Sequence, residues 1–193
     1  MINSPLFIGS NIRLTAINPE TDSVTESTWT HDPAYARLIS QDGMAKPVSA
    51  SVLKKRQEEA NKESTDNRNS YYFAIRQCDN DQLIGFLRIP FIGWSHGFAL
   101  LRLNFGSPEA LNRYGQEAIT LALVYMFGEL NLFRIAVHTP EYAQDYIDLY
   151  QQAGFVLEVR QREYVYGQGR LWDNLVFALL SEDWVMPYEE VLA

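Results

Sequence analysis

The chain has 193 residues, 47% apolar and 13% aromatic, enough to build a sizeable globular core. Its formal net charge of −8 excludes a nucleic-acid binder working by general electrostatics, and suits a basic or amine substrate only faintly. Cys78 is the only cysteine, which excludes an internal disulfide, and no apolar run approaches the roughly 20 residues of a membrane span.

Residues 12–17 alternate and predict a half-buried first strand. Asn18-Pro19-Glu20 is a helix start, with Asn18 as N-cap and Pro19 at the first helical position. That helix is predicted through Trp29, broken near His31-Asp32-Pro33 and resumed over residues 35–39. Residues 41–47 read as a loop. Residues 49–62 read as a mostly exposed helix, with Val52, Leu53 and Ala60 among its few apolar points. Residues 63–70 contain no apolar side chain and are expected to form a mobile loop. Aromatic and branched residues make strands of 71–76, 83–89 and 98–105. Turns at Asp79-Asn80-Asp81 and at 93–97 set these three antiparallel, with Cys78 as a surface or strand-end thiol.

Residues 106–113 then read as a loop. From Tyr114 to Leu130 the chain is apolar nearly all round and free of proline, which predicts a long buried helix. A strand that feeds a helix N-terminus through a loop presents free N–H groups and the positive end of the macrodipole to an anion. Residues 133–138 form a buried strand. Thr139 and Pro140 predict the N-cap and first position of a further helix, which runs to about Gln152 and stops at Gly154. Residues 156–164 and 171–180 are long strands joined across Gly167-Gln168-Gly169. The expectation is one α/β domain over residues 8–184, with 185–193 as a tail that helix geometry would suit. The N-terminus lacks a basic segment followed by an apolar one, so no signal peptide is expected and a reducing, cytoplasmic location follows.

The second half carries an ordered set of motifs: Tyr114-Gly115-x-Glu117-Ala118, Leu130-Asn131-Leu132-Phe133-Arg134-Ile135, Leu149-Tyr150-x-x-x-Gly154-Phe155, Arg162-Glu163, Gly169-Arg170-x-x-Asp173 and the closing Leu180-Ser181-Glu182-Asp183-Trp184. Each is weak singly. In this order over about half the chain they resemble the GNAT superfamily of acetyl-CoA-dependent N-acetyltransferases, and within it the RimJ/RimL type, the ribosomal-protein N-terminal acetyltransferases. Arg13-Leu14-Thr15 in the first strand also fits. The resemblance implies a mixed, mostly antiparallel sheet of six or seven strands with helices on both faces. Within it, the strands over 98–105 and 133–138 would lie parallel and splay at their C-terminal ends.

It also implies a function: transfer of an acetyl group from acetyl-CoA, as cosubstrate, to a primary amine of a small molecule or a protein N-terminus. With the charge and the apolar runs described above, the expectation is a protein without metal, nucleic-acid or membrane partner, either a monomer or a homodimer, between which the sequence does not choose. Leu103, Asn104 and Phe105 would offer backbone groups to the pantetheine arm, in the manner of strand addition. Leu111, Asn112, Arg113, Tyr114 and Gly115 would hold the pyrophosphate at the helix N-terminus, with Ala143 at the start of the next helix. Tyr150 takes the position of the acid that protonates the leaving thiolate.

Two departures stand out. Ala110 and Arg113 occupy places where the family carries Gln or Arg and glycine, and Ala143 stands where many members carry Asn. Arg113 either pairs with a phosphate or blocks its approach. The alternative function is therefore a GNAT-fold protein without turnover that binds CoA or another ligand as a sensor or scaffold. No general base stands out; Glu109, His138 and Glu163 are candidates by neighbourhood only. Trp29, Tyr35, Trp94, Tyr164 and Trp172 are candidate pocket aromatics.

Overall fold

The computed structural model describes residues 6–40, 45–66 and 68–185. Its frame is a seven-stranded sheet in the order β1-β2-β3-β4-β5-β7-β6. The strands are β1 (Ile12–Thr15), β2 (Tyr71–Gln77), β3 (Leu83–Gly93), β4 (Phe98–Phe105), β5 (Arg134–Pro140), β6 (Val156–Gly167) and β7 (Arg170–Leu180). All neighbours are antiparallel except β4 and β5. The mixed sheet and its single parallel pair are as expected. Gln168 and Gly169 both have positive φ, 55° and 78°, as the two-residue turn between β6 and β7 requires.

The helices are α1 (Pro19–Trp29), α2 (Pro33–Ile39), α3 (Ala50–Asp66), α4 (Pro108–Leu123) and α5 (Gln144–Gln152). Asn18 caps α1 as predicted, its side chain accepting from the Glu20 N–H at 3.1 Å. α4 runs on into a π turn, Val124–Glu129, in which the Leu130 N–H reaches the Tyr125 carbonyl. The main core lies where α4 and α5 cover one face, around Leu101, Ile119, Met126 and Phe177. A smaller cluster of Ile17, Ala74, Leu83 and Phe86 packs with Trp29.

Three predicted boundaries are corrected. α3 continues to Asp66, so the expected mobile loop begins later than residue 63. β5 extends through Thr139 and Pro140, which pair with Leu175 and Asn174 of β7; they do not open a helix. Proline is tolerated there because β4 has already parted from β5, leaving it a one-sided strand. α4 begins at Pro108, six residues before Tyr114: Ser107 is its N-cap, accepting from the Ala110 N–H, and Pro108 is its first residue. Most of the predicted tail falls on residues 186–193, outside the described residues. Among the described residues, no helix is long and apolar enough to cross a membrane.

Candidate functional site

The parallel pairing of β4 with β5 covers only Phe98–Leu100 against Arg134–Ala136. Beyond Leu100 the strands part, and the backbone edge of β4 toward Phe105 opens. The Phe105 N–H points into this seam and donates to the Tyr146 hydroxyl at 3.0 Å. Strand alternation sets the Leu103 backbone on the same side. α5, which follows β5, carries Tyr146 and Tyr150 one turn apart, both buried at the seam. The Tyr150 ring is fixed by Tyr146, Phe155 and Phe177, with centroids 6.3, 5.8 and 6.5 Å away.

Two cavities meet here, sharing Arg37, Leu38, Tyr142 and Tyr146. The smaller, about 250 Å³, lies between the N-termini of α4 and α5. Phe105, Gly106, Ser107, Pro108 and Leu111 line one side, and Ala143 to Tyr146 the other. The larger, about 860 Å³, is walled by α2, α3, the sheet and the β6–β7 hairpin, and takes in Leu103, Asn104, His138, Tyr150 and Tyr164. Gly106 is required at the mouth of α4: a Cβ there would come within 2.2 Å of the Trp29 ring.

Burial governs the titration of these groups. It raises the Tyr146 phenol to about 12, against the opposing Phe105 N–H. It raises Tyr150 further; Tyr146 adds to that shift, and the Arg102 guanidinium opposes it. His138 is pushed down by burial and then by Arg102. Glu26 is pushed up by burial, although the Gln57 amide at 2.7 Å and the Tyr35 hydroxyl at 3.1 Å stabilise its carboxylate.

Leu103, Asn104, Phe105, Leu111, Ala143 and Tyr150 thus line one cavity or the other. Asn112, Arg113, Tyr114 and Gly115 line neither. Because α4 starts at Pro108, the amides of Asn112 to Gly115 lie inside the helix, committed to its ladder. Arg113 is exposed and its guanidinium sits 5.0 Å from the Tyr114 ring centroid, so it neither blocks the seam nor faces it. Gly115 serves packing: a Cβ there would meet Leu111 at 3.1 Å and Leu149 at 3.3 Å. The first turn of α4 is instead dressed by its own residues. Glu109 is held low by its own backbone N–H and the Ser107 hydroxyl.

Of the candidate bases, only His138 borders the larger cavity; Glu109 and Glu163 border neither. Of the candidate aromatics, Tyr164 lines the larger cavity and Tyr35 the smaller. Trp29 packs under Gly106, Trp94 is exposed and bonded to Asn69, and Trp172 packs on Tyr142. Tyr146, Tyr142 and Glu26 are site residues that the motifs miss. The i, i+4 spacing of Tyr146 and Tyr150 is the one signal for the first of them.

No protein-family model matches the chain, and no curated protein matches it in sequence. Solved structures match in fold. A spermidine N-acetyltransferase from Vibrio cholerae, in complex with CoA and spermine, is 22% identical with a TM-score of 0.74, over 90% of this chain and 98% of that one. A protein described as a probable acetyltransferase reaches a TM-score of 0.78 at 17% identity, over 91% and 96%. A candidate ribosomal-protein-serine acetyltransferase from Vibrio cholerae reaches 0.68 at 18%, over 90% and 96%. The chain has the fold of these acetyltransferases.

Proposed function

We propose that the protein transfers an acetyl group from acetyl-CoA to a primary amine of a small molecule or protein N-terminus, as an N-acetyltransferase of the RimJ/RimL-like kind acting in the cytoplasm as a monomer or homodimer. The observation that carries this reading is the seam between β4 and β5, with two buried tyrosines on α5 beneath it and a cavity on either side. The seam fits the cosubstrate: an exposed strand edge suits the extended, amide-bearing arm, and the smaller cavity ends on two helix N-termini. The residues that would hold it are Leu103, Phe105, Gly106, Ser107, Leu111 and Ala143. When bound it supplies a thioester, whose acyl carbon the amine attacks.

The chain's part is chiefly alignment. Leu103 and Phe105 fix the acyl group along β4. The Tyr146 hydroxyl, which accepts from the Phe105 N–H, keeps its own proton to donate to a carbonyl oxygen gaining charge. Asn104 and His138 face the amine from the larger cavity. Tyr150 gives its proton to the departing thiolate as the C–S bond breaks, and recovers through water the proton that the attacking nitrogen loses on becoming the amide.

One observation favours the reading without turnover. Ser107 and Glu109 already satisfy the first turn of α4, where a pyrophosphate would compete with a carboxylate. Thermal-shift titration with acetyl-CoA and CoA, paired with thiol release over an amine panel, separates the two. Stabilisation with turnover supports the enzyme, stabilisation without turnover supports the binder, and no stabilisation removes both.

A further inference from the structure

The larger cavity has a charge opposite to that of the chain. Four arginines from four elements line it: Arg37 of α2, Arg56 of α3, Arg88 of β3 and Arg102 of β4. Glu26 is the only carboxylate among its described lining residues, in a chain with 24 acidic and 16 basic side chains. Glu26 is itself engaged, accepting from Tyr35 and Gln57.

Arg88 and Arg102 are direct cross-strand partners in the β3–β4 register. Like charges placed opposite one another on a sheet repel and destabilise it. Among the described residues neutralisation is partial: Arg56 and Glu26 attract one another without forming an ion pair. Arg88 meets Glu63 only at 3.8 Å and lies 5.6 Å from the Tyr72 ring centroid. Arg37, Arg56 and Arg102 have no carboxylate within 4.0 Å among the described residues. Arg102 precedes Asn104 by two residues on β4, which sets the guanidinium pair beside the reacting end of the seam, on the wall shared with His138 and Tyr150.

We propose that the acceptor is an amine carrying a carboxylate or phosphate group, and that this anion bridges Arg88 and Arg102 while the amino group points toward the seam. Guanidinium forks suit either anion, each able to make paired charge-assisted hydrogen bonds. The same wall rejects a polyamine, whose ammonium groups would face like charge with one occupied carboxylate to offset it. The identity of the acceptor rests on the acetyl-transfer reading above; the anion site does not.

Two arms of one experiment keep these apart. In the binding arm, β-alanine, O-phosphoethanolamine, ethanolamine and spermidine are titrated against the intact protein and Arg102→Gln, Arg102→Lys and Arg88→Gln. The two anionic probes should raise the melting temperature of the wild type, with the lysine variant intermediate and both glutamine variants unresponsive. Without ligand, Arg102→Gln should melt no lower than wild type, because it relieves a repulsion; a merely structural arginine would show the reverse. In the turnover arm, kcat/KM for the anionic amines should exceed that for ethanolamine and spermidine by at least about tenfold, roughly one charge-assisted hydrogen bond, and Arg102→Gln should erase the preference. Preference between β-alanine and O-phosphoethanolamine tells carboxylate from phosphate. The anion site is overturned if neither anionic probe stabilises the wild type, if spermidine does so better, or if Arg102→Gln weakens acetyl-CoA binding, which would assign the wall to cosubstrate phosphates. Anion binding without any acetyl transfer would sustain the site and sink the acetyl-transfer reading.

Discussion

Replacing the two tyrosines of α5 separately by phenylalanine splits chemistry from architecture. The Tyr150 hydroxyl borders the larger cavity and has no hydrogen-bond partner among the described residues. Tyr150→Phe therefore removes no internal bond and keeps the ring contacts with Tyr146, Phe155 and Phe177. Its melting temperature should match the wild type. Turnover should fall by about 10²-fold, the scale of general acid catalysis, with acetyl-CoA binding unchanged. Tyr146→Phe does the opposite to stability, because the buried Phe105 N–H loses its acceptor at 3.0 Å. An unsatisfied buried amide costs about 1–3 kcal/mol, which for a domain of this size lowers the melting temperature by roughly 2–12 °C. Calorimetry and thiol release at saturating acetyl-CoA read both quantities on the same samples. Full turnover in Tyr150→Phe would refute its role as proton donor. A Tyr146→Phe protein as stable as wild type would refute the buried amide bond and with it the described geometry of the seam.

Three further outcomes follow from the same geometry. Gly106→Ala should destabilise the fold by about 1–3 kcal/mol through overpacking and weaken acetyl-CoA binding, since its methyl group meets Trp29 at 2.2 Å; denaturant melts and a thermal-shift titration check both. Arg113→Gly should leave acetyl-CoA affinity unchanged and cost about 1 kcal/mol as an exposed glycine within α4; a change in affinity would return Arg113 to the phosphate site. Glu26 is raised by burial, so its folded state holds a proton that the unfolded chain has released. It therefore lowers stability as pH climbs from the ordinary carboxyl range to its raised folded value and stays unfavourable above that. Glu26→Gln should flatten that fall and be the more stable protein near neutral pH. The Gln57 carbonyl oxygen, buried without a partner, can turn to accept from the new amide. Equal pH slopes in the two proteins would refute this.

How much of this was legible in the sequence depends on the range of the interaction involved. The strands, the β6–β7 turn and α1 follow from alternation and local capping chemistry, and the parallel pair that parts was implied by the GNAT resemblance. The start of α4 shows resemblance pulling against local chemistry. Ser107-Pro108-Glu109 repeats the signals of Asn18-Pro19-Glu20: a side-chain cap, proline at the first position and an acid in the first turn. Alignment of Tyr114-Gly115 with a glycine-rich loop nevertheless moves the helix start past them. Without the family's first glycine, no residue in 107–113 interrupts a helix once Ser107 has begun it, so Asn112 to Gly115 wind into α4. Thr139-Pro140 errs the other way: a correct local start signal is overridden by strand pairing with β7.

The charge of the larger cavity lay beyond any local reading. The net charge of −8 describes the whole surface, whereas Arg37, Arg56, Arg88 and Arg102 are scattered over 66 positions and converge only when α2 and α3 fold over β3 and β4. In sequence, Arg88 and Arg102 each look like a polar residue on the outward face of an alternating strand. Only the β3–β4 register makes them neighbours, and only the parting of β4 from β5 turns that face into a cavity wall. The same parting accounts for the one-sided strand that tolerates Pro140, the seam-facing backbone of Leu103 and Phe105, and the room at the Tyr150 hydroxyl, which has no hydrogen-bond partner among the described residues. The break in one parallel pair is thus what opens a cavity in an otherwise covered sheet, and the arginines on its wall carry the charge on which the proposed acceptor preference rests.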